Sequence, residues 1–397
     1  MFKYQKTFLF IDEAIVKSIT QLDDHLIAEF DETIFYPGGG GQPHDFGTIE
    51  NDNFNGEVTK VQKKDGKVFH TIKILNGILN ENDKVTLKID EKRRIKISRA
   101  HTGEHILYKS MEKIIPDIEM IKVDLDPDEP SIFVKCKKLT WEQLFKAEKL
   151  ANEIIKEKRE VIKHIITHDE LDDWQDKVRI KLHRIKDDKI RIIEVKDYDW
   201  SACAGTHGND SSFVGSIFIT KFNLVKGNWD IRFTVDVEEP LYEYSKITRL
   251  VSEKLVSDIK SIPDEITRLQ KESQNYKIKF REISSKLLEH NTEEKINKIN
   301  FIYNTIEEVE KKQLIDKSSK LAKEKTIVCF LNIIEDKTTV LLNISKDLNI
   351  DAPKILNELL AKFNGKGGGR DNFAMGSIDS KFIDKFINST KEFIKNI

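Results

Sequence analysis

No apolar run in this 397-residue chain approaches the roughly 20 residues that a membrane helix needs. The opening residues run into Asp12 and Glu13 without the apolar core and small-residue cleavage site of a secretory leader. Cysteine is scarce: Cys136, Cys203 and Cys329 are too few and too scattered for a disulfide framework, and an odd count fits a reducing compartment. A soluble cytoplasmic protein with no membrane partner is the expectation. A dominant charge is also missing, since 66 Lys and Arg against 68 Asp and Glu leave −2. No global field therefore draws the chain onto nucleic acid, and any polyanion must be held by local patches. Disorder is excluded by 22 Phe, 8 Tyr and 4 Trp interleaved with Ile and Leu throughout.

The patterning predicts an α+β multidomain chain in four parts. Residues 1–90 alternate short β-rich runs with turn clusters at Pro37–Gly41, Asn51–Asn55 and Asp65-Gly66, as in a small β-barrel or sandwich. Residues 91–237 combine helices over about 99–115 and 140–159 with strands at Ser131–Lys135, Lys189–Val195 and Gly215–Thr220, an α+β domain. Residues 238–295 read as a helical connector. Within it Ile266, Leu269, Ser273, Tyr276, Phe280, Ile283 and Leu287 keep the alternating three- and four-residue spacing of a coiled-coil seam, which pairs either in a hairpin with the helix of 241–261 or between protomers. Residues 296–397 alternate β-like and helical runs, a separate α/β module.

Two motifs carry metal chemistry. His101-Thr102-Gly103-Glu104-His105 lies in a predicted helix, where i, i+4 spacing puts both imidazoles on one face. About 100 residues later Cys203-Ala204-Gly205-Thr206-His207 repeats the interval, with glycine and turn residues that suggest a strand-end loop. Together they form a four-ligand set whose nitrogen and sulfur donors suit Zn²⁺. A rival parsing reads His101–His105 as the inverzincin signature with Glu104 as general base; it needs a carboxylate ligand and leaves Cys203 and His207 unexplained. Two glycine tracts complete the inventory. Phe35–Pro43 contains Gly38–Gly41, read as closing a hairpin-like segment near a phosphate or sugar; Gly365–Arg370 is either an anion-holding loop or a linker. Net charges of +4 at 91–113 and at 311–325 mark local basic faces.

Taken in order, FYPGGGGQP, HTGEH, CAGTH and GKGGGR resemble the signature series of the alanyl-tRNA synthetase editing machinery. The chain is similar to the AlaX family, the trans-editing relatives of that synthetase, in its long form and over essentially its whole length. The resemblance implies an N-terminal barrel, a zinc-bearing editing domain, a helical connector and a C-terminal glycine-rich domain used for tRNA binding and self-association, with a homodimer through that domain or the connector. It places the zinc ligands on His101, His105, Cys203 and His207, the border of the aminoacylated tRNA end on Gly39, Gly40, Gly41 and Gln42, and the C-terminal tRNA motif on Gly367, Gly368, Gly369 and Arg370. The sequence departs from the family at Gly38, where Glu is frequent, at Ala204, where Gly is usual, and at Asp371-Asn372-Phe373, where the synthetases have Pro-Asp-Met.

The implied activity is zinc-dependent hydrolysis of tRNA(Ala) mischarged with serine or glycine, without ATP, since the aminoacylation core is missing. Three alternatives stay open: editing of another tRNA such as that of the threonine system, an inverzincin-like protease, and a non-catalytic tRNA-binding protein with structural zinc.

Overall fold

Alternating burial along short strands generates the first part of the structure. The computed structural model describes residues 2–6, 8–174, 177–180 and 189–397, in two compact units, Met1–Ile247 and Thr248–Ile397. After a single helical turn at Lys3–Lys6 (α1), six strands follow: Ile11–Leu22 (β1), His25–Phe30 (β2), Gly47–Asn51 (β3), Phe54–Lys64 (β4), Lys67–Gly77 (β5) and Lys84–Ile89 (β6). They close into a barrel in the order β1-β2-β5-β4-β3-β6. Leu26, Ala28 and Phe30 of β2 and Val85, Leu87 and Ile89 of β6 turn inward at every second position. The tract Gly38–Gly41 forms a tight hairpin-like turn, with Gly39 paired antiparallel to Gln42, but joins no two neighbouring strands of the barrel. It lies in the crossing from β2 to β3, which are not neighbours in the barrel.

His70 of β5 is buried in this barrel with the rings of Phe30 and Phe35 edge-on, at 4.9 and 5.5 Å between centres. Its Nε2 lies 2.9 Å from Thr33 Oγ1 and its Nδ1 3.3 Å from the Ala28 carbonyl, so a neutral ring uses both nitrogens. Burial pushes its pKa down to about 4 from the ordinary 6.5. The unfolded chain therefore binds the proton first as pH falls. Stability present above pH 6.5 should decline by about 3 kcal/mol by pH 4. All four tryptophans, Trp141, Trp174, Trp200 and Trp229, lie in the first unit, so their fluorescence follows its unfolding alone. In urea titrations the stability gap between wild type and His70→Gln should narrow by that amount between pH 7 and 4; a constant gap would mean that His70 titrates normally.

The rest of the first unit is α+β. Helix Glu91–Ile114 (α2) starts well before the predicted helix because the Asp90 side chain accepts from the Arg93 amide and caps it. Four antiparallel strands, Glu119–Asp124 (β7), Ser131–Lys135 (β8), Phe218–Val225 (β12) and Asn228–Thr234 (β13), form a sheet in the order β12-β13-β8-β7. Helix Trp141–Lys156 (α3) begins at a capping box formed by Thr140 and Gln143. Leu107 and Met111 of α2, Leu144 and Ala151 of α3 and Ile132, Ile231 and Phe233 of the sheet share one core. A second sheet, β11-β10-β9, is built from Val161–Thr167 (β9), Lys189–Val195 (β10) and Asp199–Ala202 (β11).

Helix Glu238–Leu255 (α4) runs across the boundary between the units and has no buried residue. Helix Ile262–Leu287 (α5) is continuous, as its heptads predict, yet Ser284 is its one buried residue. Ile266, Leu269, Tyr276, Phe280, Ile283 and Leu287 of the seam are all exposed. The second unit is otherwise a six-stranded sheet of Thr292–Ile296 (β14), Ile299–Glu307 (β15), Thr326–Ile334 (β16), Lys337–Ile344 (β17), Lys366–Arg370 (β18) and Phe373–Asp379 (β19), ordered β14-β15-β16-β17-β19-β18. Only β15 and β16 run parallel, joined through Lys311–Leu321 (α6). Leu314 of α6 covers one face with Val328 and Phe330; the other face is covered by Ala352–Ala361 (α7) and Ile383–Lys395 (α8) through Leu356, Leu360 and Phe386. Covered on both faces, β16 is apolar without alternation.

Candidate metal centre

From Ala100 to Tyr108 every residue of α2 is buried. The polar residues in that stretch must then find partners inside the protein. His101 and His105, one helical turn apart, face the loop that leaves β11, and that loop supplies Cys203 and His207. The His207 ring centre lies 4.3 Å from that of His101 and 4.8 Å from that of His105. Cys203 Sγ lies 3.3 Å from His101 Nε2 and 3.2 Å from His207 Nε2. One donor atom from each of the four falls within 4.8 Å of the others, so the cluster could hold a metal ion. It opens to solvent on one side: the histidines are buried, Cys203 is half-buried and Ala204 exposed.

The outer contacts of the histidines suit a metal. Gln42 Oε1 accepts from His101 Nδ1 at 2.8 Å, Asp199 Oδ2 lies 3.2 Å from His105 Nδ1, and Thr102 Oγ1 lies 3.3 Å from His207 Nδ1. With Nδ1 engaged outside, each ring keeps Nε2 for the centre. Burial alone would raise the Cys203 thiol, but the imidazoles of His101 and His207 outweigh it and hold the thiol well below its ordinary range. His207 is held well below the ordinary imidazole range, first by burial and then by His101. Burial also opposes a charge on His105, yet Asp199 and the sulfur overcome it and push His105 up to about 10. A thiolate beside a protonated imidazole is an arrangement that a divalent cation displaces, releasing the proton. The donor set therefore fits a metal ion.

Gln42 ties this cluster to the barrel. Besides His101, its Oε1 accepts from the Thr206 amide at 2.9 Å, and its Nε2 donates to Thr206 Oγ1 at 2.9 Å. Gly38 to Gly41 all have positive φ, and Gly39 and Gln42 close a turn through two 3.0 Å backbone hydrogen bonds. At Gly41 a Cβ would stand 2.4 Å from the Val123 carbonyl oxygen of β7, so only glycine lets the loop lie that close. The loop is fixed from behind by a buried ion pair between Asp45 and Arg94 of α2. Of the sequence-predicted residues, the structure thus brings Gln42 into direct contact with His101, one of the four metal-ligand candidates, and leaves Gly39 and Gly40 in the turn that Gln42 closes.

The second glycine tract is neither a loop nor a linker. Gly367, Gly368, Gly369 and Arg370 lie in β18, an edge strand paired to β19. Glycine is used there for close packing, because a Cβ on Gly367 would meet Leu360 of α7 at 2.8 Å. The Arg370 side chain is exposed, with Asp371 3.5 Å away.

Several residues of the centre carry no sequence signal of their own. Ser98 and Thr102 share the His101–His105 side of α2, where helical spacing points to them; Ser98 Oγ lies 2.7 Å from Thr206 Oγ1. Arg191 donates to the carbonyls of Cys203 and Gly205 at 3.0 and 2.7 Å and holds the ligand loop in place. Glu104 of α2 is buried, 3% exposed, with Oε2 3.8 Å from His105 Nε2.

Residues 2–93, essentially the barrel, match the family described as tRNA synthetases class II (A), and residues 298–396 match the DHHA1 domain. The alanyl-tRNA editing protein AlaX-L of Pyrococcus horikoshii is 28% identical over 392 residues, covering 95% of this chain and 94% of that protein. The chain is similar to the alanyl-tRNA editing protein AlaX-L along nearly the full length of both. The alanine–tRNA ligase of Methanococcoides burtonii is 27% identical over 411 residues, covering 96% of this chain but 43% of the ligase, so this chain spans under half of that relative. The C-Ala domain from Aquifex aeolicus alanyl-tRNA synthetase is 24% identical and covers 26% of this chain and 98% of that domain, with a TM-score of 0.25, too low to add to the argument. Among the described residues no helix is long and apolar enough to cross a membrane.

Proposed function

We propose that this protein is an aminoacyl-tRNA deacylase that removes a wrong amino acid, serine or glycine, from tRNA(Ala) at a zinc site formed by His101, His105, Cys203 and His207. The observation that carries the reading is the junction of that cluster with the glycine loop through Gln42, in a chain similar to AlaX-L along nearly the full length of both. When bound, Zn²⁺ supplies either a water of lowered pKa or an electrophile that orients the ester. The chain's own residues do the rest. Gln42 and Thr102 fix the ring orientations of His101 and His207, and Arg191 immobilises the loop. An ester would enter from the side of half-buried Cys203 and exposed Ala204. The four-part organisation 1–90, 91–237, 238–295 and 296–397 belongs to the same proposal, with the last part as the tRNA-binding module and a homodimer as its assembly.

A second hydrolytic sieve answers a physical difficulty, because a synthetase pocket built for alanine cannot strongly exclude one added hydroxyl. The protease reading lacks support: it needs a carboxylate as third ligand, and Cys203 and His207 stand beside the two helical histidines instead. The test is ester loss from seryl-tRNA(Ala), alanyl-tRNA(Ala) and a mischarged threonine-system tRNA, each with wild type and Cys203→Ala. Loss of serine from tRNA(Ala) alone, at least about 100-fold slower in the variant, is the expected result, an effect near 2.7 kcal/mol. Equal background rates with every substrate would leave a tRNA-binding protein with structural metal.

A further inference from the structure

His105 differs from the other two histidines in what stands behind it. His101 and His207 face neutral oxygens, those of Gln42 and Thr102, whereas His105 Nδ1 faces the carboxylate of Asp199 at 3.2 Å, close enough for charge pairing though not aligned for a straight hydrogen bond. Asp199 is 2% exposed. Its Oδ2 is held by Arg179 Nη2 at 3.2 Å. Arg179 is fixed in turn: its guanidinium lies over the Tyr108 ring at 4.5 Å, its Nε donates to Ser201 Oγ at 3.3 Å, and its backbone is bonded to Trp200 and Ala202 of β11. The order Arg179, Asp199, His105 therefore joins a charge-braced carboxylate to one face of the cluster.

We infer that Asp199, braced by Arg179, is a positioning residue that sets how strongly His105 holds the metal ion. The inference rests on the metal part of the proposed function and not on the tRNA substrate. The physical reason is that a carboxylate on Nδ1 fixes the tautomer that leaves Nε2 free and makes the ring a better donor, an effect typically worth 10- to 100-fold in metal affinity. Arg179 keeps the buried carboxylate ionised and aimed, since a guanidinium has the planar fork for that task.

The test is Zn²⁺ affinity of the full chain, by competition with a chromophoric chelator, in wild type, Asp199→Asn, Arg179→Lys, His105→Ala and the Asp199→Asn/His105→Ala pair. Asp199→Asn should bind zinc about 10- to 100-fold more weakly. In the absence of His105 the same substitution should change affinity by less than about threefold, because coupled residues are not additive. The visible bands of the Co²⁺-loaded protein should also shift in Asp199→Asn. Unchanged affinity, or an equal loss with and without His105, would overturn the inference. Should Asp199→Asn fail to fold by circular dichroism, Arg179→Lys decides: weaker zinc binding with a shifted Co²⁺ spectrum supports the brace, and wild-type values overturn it. A wild type that takes up zinc but leaves seryl-tRNA(Ala) intact would end the editing reading alone. A wild type that takes up no zinc would end this inference too.

Discussion

Gly205→Ala will empty the metal centre while leaving the fold in place. A Cβ on Gly205 would stand 2.2 Å from His101 Cε1, 2.5 Å from His101 Nδ1 and 2.6 Å from Gln42 Oε1, all inside the distance that real atoms allow. The backbone there needs no left-handed conformation, so space alone demands glycine. The loop cannot back away, because Arg191 grips the carbonyls on both sides of Ala204. His101 and Gln42 must therefore move, and with them one of the four donors and the brace that orients it. Zinc retained after dialysis should fall from one per chain to near zero, and ester hydrolysis to background, a loss above about 100-fold. Far-ultraviolet circular dichroism should not change. Ala204→Gly, at an exposed neighbouring position, should keep full metal content and is the control. A Gly205→Ala protein that binds zinc like wild type would show that the loop is looser than its hydrogen bonds imply.

Asp45→Ala will be the most destabilising single change in the first unit. Arg94 is fully buried, with Nε donating to Asp45 Oδ1 at 2.9 Å and Nη2 donating both to Asp45 Oδ2 and to the Ile34 carbonyl, the latter at 2.8 Å. Asp45 also accepts from the Tyr36 amide at 2.6 Å. Removing the carboxylate leaves a guanidinium without a counter-charge in the interior, which costs about 3–5 kcal/mol. The urea midpoint followed by tryptophan fluorescence should drop accordingly, and hydrolysis should fall too, because the loop bearing Gln42 loses its anchor on α2. The double change Asp45→Leu with Arg94→Met should recover much of the stability, since burying no charge is cheaper than burying an unpaired one. It should recover little of the activity, because Tyr36 and the loop still lack their acceptor. A double variant no more stable than Asp45→Ala would refute the desolvation argument.

Where a local rule was sufficient, the chain could be read directly. The β-rich runs around Leu26–Phe30 and Val85–Ile89 gave away strands of the first part, and the run at Thr326–Asn332 a strand of the last, while its cover on both faces came from the structure. Paired i, i+4 intervals picked out His101 and His105 on one helical face and Cys203 and His207 in a loop, and the packing of α2 beside the loop after β11 brings the two pairs together. The glycines of 365–370 misled, since their composition is that of a turn; the structure shows that a Cβ on Gly367 would meet Leu360 and the Met375 carbonyl and one on Gly369 the Phe373 carbonyl, while Gly368 faces open space. Glu104 was ambiguous for a related reason, as nothing in a charged helix reveals that protein encloses it on every side. The heptads of α5 specified a long helix and an apolar seam, and the tertiary structure left that seam exposed.

The sequence by itself marked the short β-rich runs of the first part, the helices, the strand-and-helix alternation of the last part and the four ligand candidates, because each depends on neighbours within a few residues, whereas closure of the barrel came from long-range pairing. Tertiary structure alone decided what holds the ligands. Gln42 reaches His101 across 59 positions, Asp199 meets His105, and Arg94 and Asp45 pair across 49, contacts that exist only after the barrel, α2 and the β11 sheet have packed together.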